Sequence, residues 1–155
     1  GLCLPRKPPR ENLRTVTPGL APKRGKGGTL ASRQAMLHSL VHTEGWAIDL
    51  ALDAIARFGH AREMPQAFFS DMLKVAADEA RHHLQLRARL SELGMEYGDL
   101  ETHDGLWDSA LETAHSLEAR LAIESCVHEA RGLDILPQTI RRFRDGGDSE
   151  TAALL

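Results

Sequence analysis

The spacing of apolar residues predicts a long amphipathic helix after residue 28. The apolar residues of this segment recur at steps of three and four positions: Leu37, Val41, Ile48, Ala51 and Ile55. These steps match one face of an α-helix, in which about 3.6 residues make a turn. The helix is predicted to run from Thr29 to Phe58 and to close at Gly59, because glycine often follows a helix C-terminus.

A second helix is predicted from Pro65 to Gly94. Proline is favoured in the first helical turn, where its missing N–H would have no intrahelical partner anyway. The residues of the predicted core face again follow helical spacing: Phe68, Met72, Val75, Ala76, Leu86, Leu90 and Leu93. Gly94 suits the end of this helix, as Gly59 suits the end of the first.

A third long helix is predicted from Leu106 to Arg131, followed by a short helix from Pro137 to Arg144. The residues of the third helix that should face inward are Leu117, Leu121, Ala122 and Cys126. Asp148 is a predicted cap for a last apolar segment, residues 151–155. Alternating strand patterns are nearly absent, so the sequence predicts an all-α fold.

Residues 1–28 are predicted to form an arm that precedes a helical domain of residues 29–155. The arm holds five of the seven prolines and has no helical periodicity. Residues 1–30 carry about +6 and the remainder about −9 by difference from the net charge of −3. A basic arm can contact nucleic acid or an acidic partner. The interpretation we favour is a solubilising extension that packs loosely over the domain.

Composition narrows the class of protein. A chain of 155 residues with 42% hydrophobic residues has the size and composition of one globular domain. It has no apolar run of the length that spans a membrane, and no apolar stretch typical of a secretory signal. Cys3 and Cys126 are too few and too far apart for a disulfide framework or a paired-cysteine metal site. A reducing compartment, by default the cytoplasm, is expected.

Three predicted helices each carry an acidic residue on an apolar face. Glu44 lies on the apolar face of the first helix, between Val41 and Ile48. Glu129 lies three residues after Cys126, on the predicted inward stripe of the third helix. In the second helix, Glu79 and His82 form a Glu-x-x-His step, which places a carboxylate and an imidazole one turn apart. An ionised carboxylate on an apolar face is costly unless it is paired or bound to a cation. Taken singly, Glu44 is better interpreted as a carboxylate paired with a neighbouring Arg or His, and the Glu-x-x-His step as a chance spacing in a charged helix. Glu129 is equally well interpreted as an exposed side chain.

The combination favours a metal site. Di-iron carboxylate bundles place such carboxylates and Glu-x-x-His steps on successive helices, and carboxylate oxygens with imidazole suit iron or manganese. The predicted metal ligands are Glu44, Glu79, His82 and Glu129. His38 and His42 are the best candidates for outer partners of these ligands, because metal ligands are usually oriented by a further hydrogen bond.

The sequence also resembles the ferritin-like superfamily. It looks closest to a bacterial branch of ferritin-like proteins with no established activity, and distantly similar to tRNA-hydroxylating di-iron enzymes and rubrerythrins. The resemblance runs from the basic arm to Leu155. The segments that carry it are Pro22-Lys23-Arg24, Arg33 to His38, His42-Thr43-Glu44, Met64-Pro65, Asp78 to His82, Glu96 to Leu100, His103 to Trp107 and Glu129 to Asp134.

This resemblance implies an antiparallel ferritin-like bundle with three long helices and a short one, and a fourth bundle helix that is truncated. It implies that Glu44 is a ligand from the first helix, Glu79 and His82 the pair from the second, and Glu129 the ligand from the third. Complete members hold two iron ions, with manganese as an alternative, through a second Glu-x-x-His on the fourth helix. Glu150 has no histidine three residues later, so the domain is expected to be C-terminally incomplete or its site degenerate.

Three functions remain open on the sequence alone. The first is a di-iron oxidoreductase or hydroxylase that activates oxygen on a small-molecule or RNA substrate. The second is metal handling or ferroxidase activity, for which a homo-oligomeric shell is expected. The third is a non-catalytic helical interaction module with structural carboxylates, which binds RNA through residues 1–28. Whether the chain is an enzyme stays open, because the second Glu-x-x-His is absent.

Overall fold

The computed structural model describes residues 4–10 and 13–155. Cys3 and Glu11, which entered the predictions on disulfides and on the charge of the arm, lie outside the described residues. Within the described ranges the structure is helical, and its only strand-like pairing is an isolated parallel bridge between Thr15 and Thr102. The all-α prediction is confirmed. No helix in this part of the chain combines the length and the apolar character needed to cross a membrane.

Two long helices form the centre of the fold. Helix α1 spans Leu30–Ala54 and continues into a π-helical segment, Ile55–Gly59; helix α2 spans Gln66–Glu92. Both predicted helices are confirmed. The Thr29 hydroxyl accepts a hydrogen bond from the Ser32 amide at 3.2 Å, which satisfies one free donor of the first turn.

The remaining helices come after α2 in chain order. They are α3 (Gly105–Glu112), α4 (Leu117–Arg120), a π-helical segment (Leu121–His128), α5 (Glu129–Asp145) and α6 (Ser149–Leu154). The segments from Leu117 to Asp145 join end to end and make the third long helical element, which we call the third helical stretch.

Two predictions about this region are wrong. The third helix is not continuous from Leu106, because α3 ends at Glu112 and a new helix starts after Ser116. The Ser116 hydroxyl accepts a hydrogen bond from the Ala119 amide at 3.2 Å and so caps that new start. The short helix predicted from Pro137 to Arg144 is not separate, because Pro137 lies inside α5.

Apolar clusters hold α1 and α2 antiparallel. At one end, Leu37 and Val41 of α1 pack with Leu90 of α2 and with Phe143 of α5, all fully buried. The residues of the cluster at the other end are Ala54, Phe58 and Leu117, packed against Met64, Phe68, Met72 and Leu121. Burial of a large apolar side chain contributes roughly 1.5–3 kcal/mol, so these clusters supply much of the stability that orients the two helices.

The described part of the arm is held by specific contacts. The guanidinium of Arg10 lies 4.1 Å from the ring centroid of Trp46 and donates to the Gly45 carbonyl oxygen at 2.7 Å. The Trp107 indole N–H donates to the Arg6 carbonyl oxygen at 3.0 Å, and Trp107 stacks on Trp46 with 5.3 Å between ring centroids. The arm therefore packs on α1 and α3 and is not a loose extension.

Arg120 joins the third helical stretch to the rest of the fold. Its side chain is buried and donates to the Asp53 carboxylate at 2.7 Å, to the Thr113 hydroxyl at 2.9 Å and to the Ala110 carbonyl oxygen at 2.6 Å. Arg57 reaches the same carboxylate at 2.8 Å from a more exposed position. Each of the three guanidinium nitrogens of Arg120 thus donates a hydrogen bond, and a buried charge held in this way is costly to remove.

We predict that Arg120→Met lowers the free energy of unfolding by about 3 kcal/mol, because it removes three hydrogen bonds of a buried guanidinium and leaves Asp53 paired with the more exposed Arg57. Arg57→Met is the matched control, and its loss should be below about 1 kcal/mol since that pair is more solvated. Denaturant unfolding followed by circular dichroism measures both. Equal losses in the two variants would contradict the role assigned to Arg120.

Asp148 anchors the C-terminal end of the described chain. Its carboxylate accepts hydrogen bonds from the Thr151 amide at 3.0 Å and hydroxyl at 2.8 Å, and pairs with the Arg89 guanidinium at 2.9 Å. Burial alone would raise the pKa of Asp148. The hydrogen bonds from Thr151 and Arg89 outweigh that effect and hold its pKa below the ordinary value of 3.8.

We predict that Asp148 contributes stability that is fully present above pH 3.8 and is lost as the pH falls through its lower folded-state pKa. The Asp148→Asn variant should therefore be less stable than the parent at neutral pH and should lose less stability on acidification. Thermal unfolding from pH 7 to pH 2 measures this difference. Parallel pH profiles for the two proteins would show that Asp148 makes no such contribution.

Candidate metal centre

Helices α1 and α2 bring three of the predicted ligands together. Glu44, Glu79 and His82 each offer one ligand atom, and these atoms all lie within 4.8 Å of one another. His82 Nδ1 is 3.3 Å from Glu79 Oε2 and 3.9 Å from Glu44 Oε2. Across residues 4–10 and 13–155, no other group of three or more potential ligands is this close. We call this set the Glu-Glu-His group.

The carboxyl group of Glu79 opposes the ionisation of Glu44. The pKa of Glu44 is raised from 4.5 to about 9, first by burial, then by the hydrogen bond and charge of Glu79, and then by the charge of Glu129. A carboxyl group with this pKa keeps its proton at neutral pH unless another positive charge takes the proton's place. At neutral pH Glu44 therefore carries a proton, and a cation bound by the Glu-Glu-His group can replace that proton.

Glu129, the fourth predicted ligand, lies beside the group but outside it. It is the first residue of α5, and its side chain is exposed. Partial burial of its carboxyl group, followed by the charge of Glu79, raises its pKa, while His128 opposes the rise. Glu129 thus lies near enough to interact electrostatically with the other two carboxyl groups.

The inward stripe predicted for the third helix is only partly right. Leu117 is buried and Leu121 packs against the same cluster, whereas Ala122 and Cys126 are exposed. At about 100° per residue, Ala122 lies about 140° and Cys126 about 180° around the helix from Leu117, so regular spacing does not place them on one face. Both residues lie in the π-helical segment Leu121–His128.

The same segment buries a carboxylate that the sequence reasoning missed. Glu124 is 8% exposed, and its Oε2 accepts a hydrogen bond from His128 Nδ1 at 2.8 Å. Its Oε1 is buried with no hydrogen-bond partner among the described residues. The available signal was the spacing itself, because Glu124 lies seven residues after Leu117 and three after Leu121, on the same helical face.

The interpretation of His38 and His42 as outer partners of the metal ligands is not supported by their contacts. His42 Nδ1 lies 2.8 Å from the Tyr97 hydroxyl, and its Nε2 lies 2.9 Å from the His103 carbonyl oxygen. His38 Nε2 accepts a hydrogen bond from the Gly98 amide at 3.1 Å. Both rings therefore hold the loop that comes after α2. Burial, above all, lowers the pKa of His42 to about 4, so this ring is neutral.

Two cavities meet at Glu79. The larger, about 480 Å³, is lined by the Glu-Glu-His group and Glu129 and has an apolar wall that includes Leu40 and Leu86. The smaller, about 330 Å³, is lined by Glu79, Glu124 and His128. Two carboxylates and an imidazole are donors that suit iron or manganese. The arrangement therefore fits a divalent cation beside a partly apolar cavity.

Comparison with known proteins places these features in a family. The chain is 43% identical over 126 residues to a Haemophilus influenzae protein described as "Uncharacterized protein", a match that covers 79% of this chain and 43% of that protein. The chain thus spans less than half the length of this curated relative. No solved structure matches it. A family described as "Protein of unknown function (DUF455)" matches residues 3–155, and the chain belongs to that family.

Proposed function

We propose that this chain binds a divalent transition-metal cation, iron or manganese, through Glu44, Glu79 and His82, with Glu129 as a further ligand. The observation that carries the proposal is the convergence of Glu44, Glu79 and His82 between α1 and α2, with their ligand atoms within 4.8 Å of one another. Burial, and then the hydrogen bond and charge of Glu79, raise the pKa of Glu44 to about 9. Two half-buried carboxyl groups this close together are stabilised by a proton or a cation between them. A divalent ion leaves both carboxylates ionised at neutral pH and takes His82 as a third ligand, which a shared proton does not.

The surroundings of the pair support a cation. Among the ion pairs of the described residues, Glu44 and Glu79 each contact His82 alone. A neutral imidazole is a metal ligand, and it sits on the same helix as Glu79 at a spacing of one turn. A structural salt bridge would instead place an arginine or a lysine against these carboxylates, as Arg120 is placed against Asp53.

We further propose that residues 29–155 belong to a ferritin-like bundle and that the site is of the di-iron carboxylate type. The order of the candidate ligands along three successive long helical stretches supports this proposal. When bound, such an iron pair supplies oxygen activation. The role of this chain's residues is to position the ions and to offer the 480 Å³ cavity with its apolar wall to a substrate. This cavity favours an oxidoreductase or hydroxylase over metal storage, which needs no substrate cavity.

We predict that the purified chain, loaded anaerobically with Fe²⁺ and desalted, retains metal when measured by plasma mass spectrometry. Glu79→Gln should lose most of it, because the amide cannot provide a second negative charge to the ion. Asp78→Asn is the matched control. It removes a neighbouring carboxylate that is 67% exposed, so the metal content should stay unchanged. A metal-free parent chain, or a Glu79→Gln variant that retains the metal, would refute the proposal.

We also predict that Mn²⁺ raises the melting temperature of the chain by about 5–10 °C at a free concentration of 100 times the dissociation constant. At this ratio binding raises the free energy of unfolding by about 2.7 kcal/mol. The melting temperature of a domain of this size rises by roughly 2–4 °C per kcal/mol. His82→Ala should largely abolish the rise, whereas replacement of the exposed His115 should not. An equal rise in both variants would place the bound ion elsewhere.

A further inference from the structure

A third cavity lies among the arm, α1 and the loop that follows α2, and none of the candidate metal ligands lines it. Its volume is about 220 Å³, below the roughly 300–1,000 Å³ of pockets for drug-sized ligands. The charged residues that line it are Lys23, Arg24 and Glu101. The Glu101 carboxylate lies 4.0 Å from the Arg14 guanidinium, whereas neither cation belongs to an ion pair of the described residues. The cavity therefore combines the size for a small ligand with an excess of positive charge.

Hydrogen bonds fix the segments that form this cavity. The Arg24 carbonyl oxygen accepts a hydrogen bond from the Ser32 hydroxyl at 2.8 Å, and the same hydroxyl accepts one from the Gly27 amide at 2.7 Å. These two bonds hold the cationic turn of the arm against the start of α1. The Thr102 amide donates to the Arg14 carbonyl oxygen at 2.9 Å and joins the loop to the arm. Because the walls are already in place, a ligand does not have to order them, which favours binding.

A buried imidazole provides a hydrogen-bond donor at this cavity. His38 lines the cavity and is 2% exposed. Burial lowers its pKa below the ordinary value of 6.5 against the opposing charge of Asp99, so the ring is neutral at pH 7. Its Nε2 accepts the Gly98 amide hydrogen at 3.1 Å, and the proton of the neutral ring then lies on Nδ1. Among the hydrogen bonds of residues 4–10 and 13–155 this N–H has no acceptor, and a buried donor requires one.

The loop contributes a second imidazole donor. His103 lines the cavity, and its Nδ1 accepts the Gly105 amide hydrogen at 3.2 Å, so its ring proton lies on Nε2. The Ser39 hydroxyl of α1 lines the same space. The donors of the cavity thus come from the arm, from α1 and from the loop. A phosphoryl group offers three strong acceptor oxygens and a charge of about −1.5 to −2, whereas a carboxylate offers two oxygens and a single charge. The donor set therefore fits phosphate better than carboxylate.

We propose that this cavity binds a phosphate group, that of inorganic phosphate or of a small phosphate monoester, with Lys23 and Arg24 as counter-charges and His38 Nδ1–H as a buried donor. The two cations form charge-assisted hydrogen bonds with the phosphate oxygens. His38 fixes the position of one oxygen, because its ring is held by the Gly98 amide and lies against Tyr97, with 5.3 Å between ring centroids. The site does not depend on the proposed metal function, since no candidate metal ligand lines the cavity.

The test is isothermal titration calorimetry of the chain after removal of metal by a chelator, with inorganic phosphate and with glycerol 3-phosphate. Each compound should bind once per chain, and acetate should bind at least about 10-fold more weakly because it carries less charge and fewer acceptors. Tighter binding of inorganic phosphate identifies the free ion as the ligand, and tighter binding of the ester identifies an organic phosphate.

Two variants test the proposed contacts. Lys23→Gln and His38→Gln should each weaken phosphate binding about 10-fold, as expected for the loss of one hydrogen bond to a charged group. Glutamine at position 38 keeps an acceptor for the Gly98 amide and removes the Nδ1–H. Lys23 is changed rather than Arg24, because Arg24 also lines the 480 Å³ cavity. Since Lys23 is exposed, its replacement should leave the fold intact.

Two further variants are controls. Lys26 is an exposed lysine of the same turn that does not line the cavity, so Lys26→Gln should change the affinity by less than about 2-fold. Glu79→Gln should bind phosphate as tightly as the parent, which separates this site from the candidate metal centre. The inference is overturned by the absence of binding of either phosphate compound, by equal affinities for acetate and phosphate, or by equal losses in Lys23→Gln and Lys26→Gln. Parental affinity in His38→Gln, or loss of binding in Glu79→Gln, would overturn it as well.

Discussion

The packing of α1 on α2 brings the carboxyl groups of Glu44 and Glu79 together. Apolar clusters at both ends of this helix pair set its alignment, with Leu37 against Leu90 at one end and Phe58 near Met72 at the other. Burial of each large apolar side chain in those clusters contributes roughly 1.5–3 kcal/mol. The surrounding fold therefore holds two carboxyl groups close to each other and partly out of water, and such arrangements are concentrated at functional sites.

The third helical stretch completes the site by a different kind of interaction. Its position depends on the polar contacts of Arg120, which reach α1 and α3 at once. Immediately after Arg120 the helix widens into the π-helical segment, in which Glu124 is buried, and Glu129 follows it and lines the larger cavity. The buried charge of Arg120 thus anchors the stretch that carries both carboxylates.

The sequence predicted the parts of the fold that depend on regular spacing. The bounds of α1 and α2 and the meeting of Glu44, Glu79 and His82 are consequences of helical periodicity. The break between α3 and α4 was missed, because it depends on the capping contact of Ser116, whose local signal is weak.

The rest depends on contacts between distant segments. The contacts of His42 were missed because its partners, Tyr97 and His103, come from a loop more than fifty residues away along the chain. The docking of the arm likewise depends on Arg10, which no periodicity connects to Trp46.

The stacked indoles of Trp46 and Trp107 have a practical consequence. They are the two tryptophans of the chain, and both are 1% exposed. Arg10 covers one ring, and the Arg6 backbone holds the other. The tryptophan fluorescence of this protein therefore originates wholly at the junction of the arm with α1 and α3. A red shift of the emission reports that water has entered this junction, whatever the state of the helices elsewhere.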